Sequence, residues 1–102
     1  YIYLNDVDED NCPFQYMKGS HTLCYEGRMK KEFDYYYHGQ DYYRGDFGHY
    51  VSIWAETLIR KYNLERIIAK PKQGTLVLAD TRGIHRRTVP KGGERYVATA
   101  FF

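Results

Sequence analysis

The chain has 102 residues, 43% of them hydrophobic and 27% charged, with a formal net charge of +2 and 12 tyrosines. That length allows one small domain and not two, and the apolar share excludes global disorder. So small a charge gives no electrostatic case for a nucleic-acid or membrane surface, and no apolar run approaches the roughly 20 residues of a membrane span.

In chain order, "YIYLNDVD" (residues 1–8) is rich in aromatic and β-branched residues and predicts a strand. "EDNCP" has turn chemistry, and "FQYM" (14–17) alternates as a second strand. The two are expected to form a hairpin that ends in "KGSH". "DYYYHGQDYYRGDFGHY" (34–50) has no clear period and predicts a long loop or irregular insertion. Val51, Trp54, Ala55, Leu58, Ile59 and Tyr62 then fall on one face of an amphipathic helix, with Asn63 as its stop. "ERIIA" (65–69) is a short strand candidate, and "TLVLA" (75–79) predicts a strand buried on both faces. "DTRG" turns, "IHRRTV" (84–89) is a short strand, "PKGGE" is a corner, and "RYVATAFF" (95–102) closes the chain.

The sum is a mainly β single domain over 1–102, with antiparallel strands in a barrel or sandwich and one helix in an insertion at about 22–65. The first residue, Tyr1, already stands in a strand-like run, so the chain is expected to be a piece of a longer protein. With no secretory pattern, Cys12 and Cys24 are read as reduced thiols and the compartment as cytoplasmic.

Two stretches carry more than composition. "YLNDVDEDNCPFQYMKGSH" near the start, with "GTLVLADTRGIHRR" and Arg95 near the end, resembles the phytanoyl-CoA dioxygenase family. The resemblance covers about residues 1–21 and 74–102. It implies a double-stranded β-helix, or jelly-roll barrel, that uses iron(II), with 2-oxoglutarate as cosubstrate. The implied reaction consumes O2, converts 2-oxoglutarate to succinate and hydroxylates a C–H bond of a small-molecule substrate. It implies that His85 is the distal metal ligand, that Arg95 grips the far carboxylate of 2-oxoglutarate, and that Tyr1 is an aromatic against the cosubstrate.

The chemistry of these residues is consistent with those roles. Arg95, Val97, Thr99 and Phe101 share one strand face, and an inward guanidinium there needs a partner, which a bidentate carboxylate suits. Without the resemblance, His85 reads as an ordinary turn or core histidine, and Arg95 as a charge on an exposed edge strand.

The chain departs from the family pattern in one large respect. The family's remaining iron ligands form a His-x-Asp pair. His21, His38, His49 and His85 are followed by Thr-Leu, Gly-Gln, Tyr-Val and Arg-Arg, so none begins such a pair. The pair is expected upstream of Tyr1, and the 102-residue chain alone is expected to be inactive. Cys12 also stands where the family commonly has Gly.

Other residues stay open at this level. Cys12, His21 and Cys24 lack a fourth zinc ligand and regular spacing, and His21 is expected in a turn at the rim of the site. Arg86 and Arg87 either line a substrate entrance that favours an anion or carry solvated charge. The alternative function is a non-catalytic β-barrel binding module, in which the Tyr-rich loop recognises a sugar, nucleic acid or protein.

Overall fold

In a computed structural model of the chain, residues 1–25 and 56–101 are described, the side chains of residues 24 and 25 excepted. The Tyr-rich stretch and the first half of the expected helix, including Trp54, lie outside the described residues. The described elements are β1 (Ile2–Tyr3), β2 (Phe14–Met17), α1 (Ser20–Tyr25), β3 (Arg66–Ala69), β4 (His85–Arg87) and β5 (Val97–Ala98). The architecture is mainly β, in two small sheets, one pairing β1 with β5 and one in the order β3-β2-β4. β1 pairs antiparallel with β5, and β2 with β4. The chain divides into two compact units: Tyr1–Tyr16 with Ile67–Asp80 and His85–Phe102, and Met17–Arg66 with Thr81–Ile84.

In the first unit, β1 pairs with β5 in the register Ile2↔Ala98 and Tyr3↔Val97. Its other edge bonds to the 75–77 stretch: the Tyr3 amide donates to Thr75 (3.1 Å) and the Val77 amide to Tyr1 (2.9 Å). The hairpin expected between residues 1–8 and 14–17 therefore does not form. The reason is local. Between β1 and β2, the Asp8 carboxylate accepts the amides of Asp10 (2.9 Å) and Asn11 (3.3 Å), and Asn11 Oδ1 accepts the Asp8 amide (2.8 Å). This side-chain turn, followed by a left-handed Cys12 (φ 64°), sends β2 into the other sheet.

"TLVLA" is corrected too. Among the described residues its one bridge is Leu76 to Ile2, and Leu76 and Leu78 are 59% and 72% exposed. Among those residues the stretch is an edge and not a buried central strand. The central strand of the three-stranded sheet is β2, flanked by β3 and β4, and its Phe14, Gln15 and Met17 are buried. Tyr3, Val7 and Phe14 are buried in this unit.

The second unit packs on Leu58, 2% exposed, against Leu23, Tyr62, Leu64 and Ile84. Residues 56–61 are helical, in agreement with the second half of the predicted helix. Asn63 ends it as expected, at φ 50°, with the Asn63 amide bonded to Arg60 (3.3 Å) and the Leu64 amide to Ile59 (3.0 Å). This is a Schellman cap, and Leu64 folds back on Leu58 as such caps favour. Ser20 is fully buried because its Oγ accepts the Ile84 amide at 2.8 Å. Among the described residues no helix is long and apolar enough to cross a membrane.

Candidate functional site

The backbone around Arg95 is clamped by two asparagines of the β1–β2 loop. Asn5 Nδ2 donates to the Glu94 carbonyl (2.7 Å) while Asn5 Oδ1 accepts the Tyr96 amide (2.8 Å). Asn11, buried, donates through Nδ2 to the same Glu94 carbonyl (3.0 Å) and to that of Asp6 (2.9 Å). The Asp10 carbonyl accepts the amides of Lys91 (2.8 Å) and Gly92 (3.2 Å), which holds the "PKGGE" corner to the same loop. With its neighbours on both sides fixed, half-buried Arg95 directs Nη1 to the Cys12 carbonyl at 2.7 Å. The acidic, Asn-containing loop thus sets the position of the guanidinium.

The second element is β4. The register sets Tyr16 opposite His85 and Phe14 opposite Arg87. The His85 ring stacks on Tyr16, with centroids 6.4 Å apart at 21°, and tilts against Phe14 at 5.8 Å. Phe14 in turn lies 5.6 Å from the Tyr1 ring. The Tyr16 hydroxyl donates to the Asp80 carbonyl (2.8 Å), which ties down the chain that leads toward β4. The exposed imidazole is thereby oriented by its aromatic neighbours.

These pieces meet in one cleft of about 200 Å³. Tyr1, His85 and Arg95, the three residues singled out in the sequence, all line it. Val97 and Thr99 line it with Arg95, as the two-residue period requires, whereas Phe101 is 82% exposed and does not. Tyr3 and Phe14 form its buried aromatic wall, and Arg86 and Arg87 complete it. No acidic side chain is among these described lining residues, so the cleft is cationic. Its volume lies below the roughly 300–1,000 Å³ of pockets for drug-sized ligands, which suits small metabolites.

Tyr3 is, with Phe14, a cleft residue that the sequence reading missed. It is 1% exposed, and burial pushes its phenol above the usual tyrosine range, more than the nearby Arg95 guanidinium pulls it down; Tyr1 adds to the rise. Tyr3 is therefore held as the neutral phenol. The available signal was its spacing of two from Tyr1 along one strand.

His21 is not in a turn. It belongs to α1, in the second unit, and is not among the residues that line the cleft. Cys12 is a free thiol. Among the described residues no three of His, Cys, Asp and Glu gather into a group able to hold a metal, and His85 is the single imidazole of the cleft. No protein-family model, curated protein or solved structure matches this chain.

Proposed function

We propose that this chain carries part of the active site of an iron(II)- and 2-oxoglutarate-dependent dioxygenase of the phytanoyl-CoA dioxygenase type, its two sheets being pieces of a double-stranded β-helix. The observation that supports this reading is the shared cleft of His85, Arg95 and Tyr1. The donor set fits 2-oxoglutarate well. Arg95 offers a planar guanidinium to the far carboxylate, Tyr3 offers a neutral hydroxyl beside it, and Tyr1 and Phe14 offer an apolar wall to the chain between the carboxylates.

For iron the fit is partial. His85 is one ligand, and one imidazole does not make a facial triad. On this reading the His-x-Asp pair comes from outside these 102 residues, and the chain alone gives no turnover. When bound, iron supplies O2 activation coupled to the oxidation of 2-oxoglutarate to succinate and carbon dioxide, with hydroxylation of a small-molecule C–H bond. The residues of this chain bind and orient: Arg95 and Tyr3 hold the cosubstrate, Tyr16 and Phe14 fix the imidazole plane of His85, and the aromatic wall excludes water. A reducing, cytoplasmic setting suits both iron(II) and the free Cys12 thiol.

The test is cosubstrate binding to the 102-residue chain by titration calorimetry. 2-Oxoglutarate is expected to bind, and Arg95→Ala to weaken it at least tenfold, in line with about 1.5–3 kcal/mol for a hydrogen bond to a charged group. Equal affinity in the variant rejects the reading.

A further inference from the structure

We infer that the cleft holds a second anion, the acid group of the substrate, on Arg87, so that the substrate class is a small organic acid with an apolar body. This rests on the cosubstrate reading of Arg95. The two guanidiniums come from different sheets: Arg95 lies just before β5, in the β1-β5 sheet, and Arg87 is the last residue of β4 in the β3-β2-β4 sheet. Both line the cleft, which carries no acidic side chain among its described residues.

The three cationic side chains are not equivalent. Arg95 gives Nη1 to the Cys12 carbonyl, lies beside Tyr3, and on the proposed reading holds the cosubstrate. Arg86, opposite Gln15 in the register, donates through Nε to Gln15 Oε1 at 3.0 Å. Arg87 makes no side-chain hydrogen bond or ion pair among the described residues and is exposed. Its charge in the cleft is left for a ligand.

Position completes the argument. Alternation along β4 puts Arg87 on the same face as His85, about 6.6–6.8 Å further along the strand. Phe14 faces Arg87 across the ladder and packs against Tyr1. A ligand with its acid group on Arg87 thus lays an apolar segment over Phe14, and its carbon skeleton extends toward His85. A guanidinium next to an aromatic face selects a carboxylate on a hydrophobic stem over a neutral analogue.

The experiment titrates 3-phenylpropionate and its uncharged amide, 3-phenylpropionamide, into the 102-residue chain saturated with 2-oxoglutarate, at fixed ionic strength. The acid is expected to bind at least tenfold more tightly than the amide. Arg87→Gln is expected to erase that preference while 2-oxoglutarate affinity stays within twofold, and Arg87→Lys to keep part of it. Circular dichroism checks the fold of both variants, whose replaced side chain makes no hydrogen bond or ion pair among the described residues. Equal binding of acid and amide, or unchanged acid binding in Arg87→Gln, overturns the proposal. So does loss of 2-oxoglutarate binding in Arg87→Gln, because the two anions would then share one end. Acid binding that depends on Arg87 without any 2-oxoglutarate binding upholds the second-anion site and sinks the cosubstrate reading.

Discussion

Cys12 holds a φ of 64°, in the left-handed region that costs an ordinary L-residue about 1–2 kcal/mol. The resemblance puts a glycine at this position, and glycine takes that conformation without the steric cost. The carbonyl of this residue accepts the Arg95 guanidinium, so the strained backbone points at the site rather than away from it. Cys12→Gly is expected to leave stability unchanged or to raise it by up to about 1 kcal/mol, since relief of strain competes with the greater freedom of the unfolded chain. Cys12→Val, β-branched, is expected to lower it by about 1–3 kcal/mol. Urea unfolding of the two variants checks this, and a valine variant as stable as the parent contradicts it. Residue type and spacing did not single out the cleft: His85, Arg95 and Tyr1 were named through the family resemblance, and all three line one cleft. Tyr3 was not singled out because a tyrosine among 12 carries little signal until its burial is known.

Elements were legible in their position and not in their partners. β2, β3 and β4 fall where alternation and β-branched content placed them, and Asn63 caps its helix. Pairing failed where it depended on distant residues: β1 joins β5, some 95 positions away, and not its neighbour β2. Apolar content likewise overstated "TLVLA", because hydrophobicity along a strand reports what could be buried and not which neighbour covers it. The β1–β2 loop is the element on which the site depends. Asn11 satisfies two carbonyls and accepts one amide while buried, so Asn11→Ala strands polar groups in the interior. It is expected to lower stability by about 1–3 kcal/mol in urea unfolding. A loss much smaller than that removes the loop from its place in holding the chain around Arg95.

At the scale of the whole molecule, the described residues form two units, each with its own small set of buried side chains. Large apolar residues remain open to solvent, among them Leu76, Leu78, Val89 and Phe101. Neither sheet exceeds three strands among the described residues. The cleft of the first unit is nonetheless built from both of that unit's sheets, and the functional account stands on it. The most direct measurement is a nuclear magnetic resonance titration of the chain with 2-oxoglutarate, following the tyrosine rings, the His85 imidazole and the arginine Nε groups. The account predicts shifts at Tyr1, Tyr3, His85 and Arg95, with the residues around Leu58 unmoved. Shifts confined to residues outside the cleft, or no shifts at saturating cosubstrate, contradict it.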